Sequence, residues 1–313
     1  MTFDYALFDK SMEQAGCRLT AKEPLRLHTT FKIGGPADRY VVVETERELR
    51  ELLKAASASA LPVLVLGKGS NLLVSDLGIR GVVAELAGEF KKVRRLEGNR
   101  IAAGSAASLA AVCRFAREQA LSGLEFAWGI PGSAGGAAYM NAGAYGGEMK
   151  DIVQRVRHVS HTGDMRDCGP EELDFSYRHS RYTGTDDVIT EIEYQLEPGN
   201  ESEISAKMED LMNRRKTKQP YEMPSAGSVF KRPEGYFAGT LIEECGLKGL
   251  AVGGAQVSPK HAGFIVNTGN ATCADVLELI RQIKARVLEE KGVALECEVR
   301  VTGEVSRGDS AAI

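Results

Sequence analysis

Residues 129–148 read GIPGSAGGAAYMNAGAYGGE, with seven glycines in twenty positions alongside Pro131, two tyrosines and a methionine. That density of glycine is incompatible with an ordinary helix or strand interior. The bulky residues are equally incompatible with a flexible linker. What remains is a rigid loop whose backbone must come close to something. With Ser133 and Asn141 as polar handles, it suits close wrapping of a large planar or diphosphate ligand. A purely structural loop is the alternative. Glycine is enriched over the whole chain, 34 of 313 residues against about 7% on average, and it is clustered rather than scattered.

A second cluster, Gly67-Lys68-Gly69-Ser70-Asn71, follows the apolar run Val63–Leu66, which reads as a buried strand. Successive backbone N–H groups in such a turn can form a nest for a pyrophosphate. The spacing is not that of a dinucleotide fingerprint, because Asn71 and Leu72 stand where a third glycine belongs and no helical pattern follows. It is not a Walker loop either. A plain tight turn is the competing reading.

Around these clusters the chain alternates between helix and strand patterns. Leu49, Leu52, Leu53 and Ala56 predict one amphipathic helix, and Leu109, Val112, Cys113 and Ala116 a second, with Ile101–Ala103 a short strand. Ile192, Tyr194 and Leu196 alternate with Glu191, Glu193 and Gln195, as in a half-exposed strand. The turn Glu197-Pro198-Gly199-Asn200 then breaks the pattern and places a domain boundary near residue 200. Beyond it Ile204, Met208, Leu211 and Met212 outline a helix with a basic end. Thr272 and Asp275 form a capping-box start for another helix, which runs to Gly292. A final strand is expected to turn Val293, Leu295, Cys297, Val299 and Val301 inward, with Glu296, Glu298 and Arg300 on its polar face. The last residues, SRGDSAAI, read as disordered.

Charge excludes several classes of function. With 39 basic and 43 acidic side chains, net charge −4 and no basic half, the chain has no electrostatic footprint for nucleic acid or anionic lipid. No apolar stretch approaches the roughly 20 residues of a membrane span, and the N-terminus shows no export signal. A cytoplasmic protein is expected. Six cysteines without a C-x-x-C pair read as reduced thiols. His158 and His161 would face opposite sides of a strand, which argues against a shared metal.

Three polar residues stand out as chemically capable. Ser228, in SAGSVFKRP, is flanked by basic residues and could donate a proton to a developing carbanion, although most loop serines only cap turns. Arg178, in YRHSRY, is suited to gripping a carboxylate or phosphate, and a surface arginine is the bland alternative. Glu298 shares a polar strand face with its neighbours, where an ion-paired surface is the simpler reading. The run Arg214–Lys218 is too short for a nucleic-acid patch and sits favourably at a helix C-terminus.

Taken in order, GKGSNLL, GIPGSAGGAAYMNAGAYGGE, YRHSRY, RRKTKQP, SAGSVFKRP, AGTLIEECGLKGLAVGGAQVSPKHAGFIVN and LECEVRVTGE resemble the UDP-N-acetylenolpyruvoylglucosamine reductase family, from about His28 to Glu304. The turn between Leu196 and Ile204 leaves no room for the tyrosine-bearing insertion of the family's longer form. HTTFKIGGPADRYVVVE lacks a proline often found after its Ala-Asp pair, a difference confined to one turn. The resemblance implies an α+β protein, with a two-subdomain FAD-binding fold of non-Rossmann type (residues 1–60 and 61–200) followed by an α+β substrate-binding domain (201–313). It implies non-covalent FAD held by Gly67, Gly69, Ser70, Asn71, Gly132, Ser133, Gly135, Asn141 and Arg215. NADPH is the implied reductant and UDP-N-acetylglucosamine enolpyruvate the substrate, contacted by Tyr145, Lys231, Gln256, His261 and Asn267. No metal, nucleic acid or membrane is implied, and a monomer is expected.

The reaction implied is reduction of the enolpyruvyl ether to UDP-N-acetylmuramate, a peptidoglycan precursor. A hydride goes to the methylene carbon, and charge builds on the neighbouring carbon and its carboxylate. Ser228 supplies the proton, while Arg178 and Glu298 act on the carboxylate end. Glu298 is expected to work protonated and Lys231 to assist Ser228. The alternatives are a flavin oxidase of the same architecture acting on another substrate, and a non-catalytic flavin or nucleotide binder. No histidine lies in GKGSNLL to tether a flavin, and the trio Arg178, Ser228 and Glu298 would be superfluous for binding alone.

Overall fold

The computed structural model describes residues 3–160 and 162–304. His161 and the tail SRGDSAAI lie outside the described residues. The chain forms two compact units, residues 1–20, 39–68 and 81–214 in one and residues 21–38, 69–80 and 215–313 in the other. It passes between them at Thr20, Asp38, Lys68, Arg80 and Arg214.

The first unit holds two apolar cores. In one, the helix Glu46–Ala58 is started by Thr45, whose side chain accepts from the Glu48 N–H, and buries Leu49, Leu52, Leu53 and Ala56 as expected. These pack with Phe8 and Met12 of the helix Tyr5–Ala15 and with Val82 and Ala84 of the strand Ile79–Leu86. The strand Val63–Leu66 runs parallel to Ile79–Leu86. It is not buried as expected, because Val63, Leu64 and Val65 are each only half-covered.

The other core lies under an antiparallel sheet in the order Met165–Cys168, Val153–Val159, Val188–Gln195, Arg100–Gly104, Val93–Arg95. Val188–Gln195 is its middle strand and is not half-exposed. Glu193 retains only 8% exposure. It tolerates burial because Arg155 of the neighbouring strand is bonded to it, and Glu191 is likewise held by Arg94 at 2.8 Å. The alternating acids thus mark cross-strand ion pairs rather than a solvent face. Residues 196–200 lead directly into the helix Glu201–Lys218, with Glu197 and Pro198 paired against Leu121 and Ser122. There is no insertion at this point.

The second unit has one core, formed by the sheet Ser225–Ser228, Phe264–Asn267, Ala255–Val257, Ala251–Val252 and the helices Ala238–Glu244 and Cys273–Lys291. Both capping-box bonds between Thr272 and Asp275 are present, and Gly292 ends the helix at φ +67°. The long final strand is a correction. Leu295 and Val299 turn inward, but only Arg300–Thr302 is a strand, parallel to Leu72–Val74. Period-two burial reports which side chains face the core, whereas a strand also needs a neighbour with free backbone groups.

Candidate active site

The glycine-rich segment and its surroundings belong to the first unit. Trp128 and Ile130 are half-covered, as are Val63, Leu64 and Val65, so apolar surface is left open beside both glycine clusters. Gly67 and Lys68 are exposed. An apolar wall beside an exposed turn rich in backbone donors fits a ring system joined to a diphosphate.

Several glycines have a different reason for being there. A Cβ on Gly67 would lie 2.7 Å from the Ser133 Oγ, and one on Gly135 would lie 2.7 Å from the Ser105 Cβ. The close approach at these two positions is of the chain to itself. The glycine-rich segment is not loop throughout, contrary to expectation: Ser133 is buried and caps a short helix, Ala134–Tyr139, by accepting from the Gly136 N–H at 3.2 Å. Gly132 packs more loosely, with a Cβ meeting Leu109 at 3.4 Å.

Two short hairpins carry side chains outward from this unit. Gly143 and Ala144 pair with Glu148 and Gly147, so that Tyr145 and Gly146 form the turn. Both have positive φ, +52° and +89°, the pattern of a type I′ turn, in which Asn-Gly is the usual occupant. Tyr145 at its tip is 45% exposed. Ser176 and His179 exchange backbone hydrogen bonds of 3.2 Å in each direction, leaving Tyr177 and Arg178 at a second tip. Arg178 has φ +56° and lies 5.0 Å from the Tyr177 ring. A left-handed tyrosine and a left-handed arginine are uncommon, and such strain concentrates at functional sites.

Asn141 lies behind both turns and is fully buried. Its Nδ2 donates to Glu148 Oε2 at 2.8 Å and to the Ser176 carbonyl at 3.0 Å, while Oδ1 accepts from the Lys150 N–H at 2.9 Å. Both amide protons are therefore committed within the protein.

In the second unit the structure places Ser228, Glu298 and Asn71 on neighbouring backbone. Ser225 pairs with Val266 and Ser228 with Phe264, three steps against two, and Gly227 takes φ +78° in between. This is a bulge, which changes the direction of the following side chain. The Val229 carbonyl accepts from the Glu298 N–H at 2.7 Å, and the Asn71 Nδ2 donates to the Glu298 carbonyl at 3.1 Å. Gly69, at φ +57°, runs so close to His28 and Thr29 that a Cβ would meet the His28 carbonyl at 2.5 Å. Ser70 follows it, half-covered.

The remaining candidates behave differently from one another. Lys231, expected to assist Ser228, is paired with Glu296 at 3.2 Å. Gln256 donates to the Gly249 carbonyl at 3.2 Å, and His261 Nδ1 accepts from the Gly263 N–H at 3.1 Å. Asn267 bonds the Phe31 carbonyl and the N–H groups of Gly269 and Ala271. It also lines a cavity of about 870 Å³ with Arg26, Lys32 and Asp76. Arg215 is not part of the exposed basic helix end, for it is buried to 6% exposure while Arg214 and Lys216 are exposed. Burial pushes the Cys113 thiol in the first unit's core up to about 12, away from thiolate chemistry.

Sequence reasoning did not find the two left-handed tips, the bulge at Gly227 or the tether from Ser180 Oγ to the Tyr139 carbonyl at 2.8 Å. Only the Tyr145-Gly146 pair carried a turn signal.

Residues 37–169 match the FAD binding domain family, and residues 219–302 match the C-terminal domain of UDP-N-acetylenolpyruvoylglucosamine reductase. The chain is 49% identical to the UDP-N-acetylenolpyruvoylglucosamine reductase of Geobacillus thermodenitrificans over 90% of its own length and 92% of the relative's. It is 49% identical to that of Clostridioides difficile over 90% and 92%. The crystal structure of the Thermus caldophilus reductase superposes with a TM-score of 0.77 at 41% identity, covering 91% of this chain and 98% of that one. A berberine bridge enzyme variant described as a reticuline dehydrogenase shares the fold alone, at 16% identity and a TM-score of 0.51 over 62% of this chain and 44% of that one. With identity near one half along nine-tenths of its length, the chain belongs to the UDP-N-acetylenolpyruvoylglucosamine reductase family.

Proposed function

We propose that this protein is an FAD-dependent oxidoreductase that reduces UDP-N-acetylglucosamine enolpyruvate to UDP-N-acetylmuramate with NADPH, in the synthesis of peptidoglycan precursors. Bound FAD would supply the hydride chemistry that links NADPH to the enolpyruvyl methylene carbon. The chain's own residues do the rest. Gly67, Gly69 and Ser70 offer backbone and hydroxyl groups to the diphosphate, and Gly132 and Ser133 border the ring system. Arg178 grips the substrate carboxylate, a task suited to its planar fork of donors.

Ser228 donates its proton to the carbon next to the carboxylate as negative charge develops there. Glu298, protonated, hydrogen-bonds the same enolate. The observation supporting this reading is the bulge at Gly227, which re-aims Ser228 on the segment whose Val229 carbonyl holds Glu298. Tyr145 and Lys231, both with side chains partly open to solvent, are assigned to the UDP-sugar. Gln256, His261 and Asn267 shape the second unit's loops, and Asn71 holds Glu298. Buried Arg215 is assigned to a phosphate. No helix among the described residues is long and apolar enough to cross a membrane, and we place the enzyme in the cytoplasm as a monomer.

The test is anaerobic stopped-flow absorbance at the flavin band. NADPH should bleach the purified protein, and colour should return rapidly with UDP-N-acetylglucosamine enolpyruvate but not with UDP-N-acetylglucosamine. Bleaching without recovery would point to another acceptor, and protein that binds no FAD would overturn the assignment.

A further inference from the structure

We propose that Asn141 is a positioning residue, a single buried brace that holds the Tyr145 and Arg178 hairpins in one fixed arrangement. This rests on the assignment of Arg178 to the substrate carboxylate. It differs from the expectation that Asn141 contacts the cofactor.

Both hairpin tips adopt left-handed backbone at residues with large side chains, +52° at Tyr145 and +56° at Arg178. Such conformations persist only where the surroundings over-determine them. The surroundings common to both are the Asn141 amide. One proton goes to Glu148, the last paired residue of the first hairpin, and the other to the carbonyl of Ser176, the first paired residue of the second. The oxygen takes the Lys150 N–H just beyond the first hairpin. No other uncharged side chain except glutamine offers two donors and an acceptor on one planar group, and glutamine is a methylene too long for a fully buried site. With both donors committed, none is left for a diphosphate.

A second tie joins the same two segments. Ser180, also fully buried, donates to the Tyr139 carbonyl at 2.8 Å. Losing one tie should therefore loosen the hairpins without unravelling them. Asn141 itself sits at φ +42°, a conformation open to glycine. Asn141→Gly thus removes the amide and leaves the backbone unstrained.

The experiment compares holoenzymes carrying Asn141→Gly, Arg178→Ala and the pair. Flavin reduction by NADPH and reoxidation by UDP-N-acetylglucosamine enolpyruvate are timed separately, and amide hydrogen exchange is followed at residues 174–180. Asn141→Gly should retain FAD, reduce normally and reoxidise about 10- to 100-fold more slowly, the scale of an ångström-sized misplacement. Exchange at Ser176 and His179 should accelerate. The pair should be no slower than Arg178→Ala alone, because a brace has nothing to position once the arginine is gone. Additive losses, unchanged exchange, or loss of FAD with both half-reactions falling together would overturn the brace. Should Asn141→Gly fail to fold, Ser180→Ala must show the same pattern at smaller amplitude, and a silent Ser180→Ala would be equally fatal. If Arg178→Ala reoxidises normally, the functional assignment fails, and the exchange data still decide the brace.

Discussion

Arg178 and Ser228 are held in place by different kinds of structure. Arg178 stands on a strained turn in the first unit, secured by two buried side chains that do not belong to the turn itself, the Asn141 amide and the Ser180 hydroxyl. Ser228 stands on a sheet strand in the second unit, re-aimed by the bulge at Gly227 and secured by backbone bonds, Val229 O to Glu298 N–H and Lys231 N–H to Glu296 O. A position built from side chains can be loosened by a single substitution at one of them. A position built from backbone is lost only by rebuilding the strand or by replacing the glycine whose left-handed φ shapes it, here Gly227. The difference predicts where remote mutations should alter chemistry and where they should alter only stability.

The largest effect should come from Ser228→Ala. Its location is set by the bulge and not by its hydroxyl, so the variant should fold and melt like the parent. Reduction by NADPH should stay near normal, while reoxidation by substrate should fall about 10²- to 10³-fold, the range for removing one donor aimed at developing charge. Equal loss in both half-reactions would sink the proton-donor role. A large fall in melting temperature would break the contrast drawn with Arg178.

Glu298 offers a finer cut. If it acts as a neutral donor, Glu298→Gln keeps a donor in place and should cost far less than Glu298→Ala, which should lose roughly tenfold or more in the reoxidation step. Its backbone is fixed through Val229 and Asn71, so neither variant should shift the thermal midpoint much. Gln and Ala equally impaired would mean that the carboxylate acts charged.

How much of this was legible in the sequence depended on which physical signal each part used. The helices at Glu46–Ala58 and Cys273–Lys291 were, because caps and apolar spacing are local properties. The pairing of Val188–Gln195 on both edges was not, because Glu191 and Glu193 look solvent-seeking until Arg94 and Arg155 arrive from other strands. Gly67 and Gly135 announced a close approach without saying to what, and the answer at both was the chain itself. The trio of Arg178, Ser228 and Glu298 came from motif order. The left-handed backbone beneath Arg178 left no trace, since arginine is not a residue that marks a turn.

A smaller effect should separate the two units by pH. His158 lies in the strand Val153–Val159 with its side chain 1% exposed, its Nδ1 3.1 Å from the Tyr182 hydroxyl and its Nε2 3.4 Å from Asp187. Burial, aided by Arg181 and Arg166 and opposed by Asp187 and Asp167, holds its pKa below the ordinary value of 6.5. The native state therefore resists a proton that the unfolded chain accepts. Stability from this group is intact above about pH 6.5 and declines as pH falls toward the folded pKa, by at most about 1.4 kcal/mol per pH unit. Because Tyr182 and Asp187 lie in the segment that follows Arg178, acid should also lower the protection factors of the Ser176 and His179 amides, taken relative to their intrinsic exchange rates at each pH. His158→Asn should melt with a flatter acid dependence between pH 7 and 5, and a slope identical to the parent's would remove His158 from the account.

The smallest effect belongs to the second unit. Thr272 caps the helix Cys273–Lys291 by accepting from the Asp275 N–H at 3.0 Å, while Asp76 independently accepts from the N–H groups of Cys273 and Ala274. Thr272→Ala should cost about 1 kcal/mol, a few degrees in thermal midpoint for a chain of this size. The helix packs on the sheet that includes the Ser228 strand, but that strand is tied by its own backbone bonds. A loss confined to stability, with both half-reaction rates unchanged, is therefore the expected outcome. Should Thr272→Ala slow reoxidation, backbone bonding would not insulate Ser228 as argued, and the distinction between the two regions would fall with it.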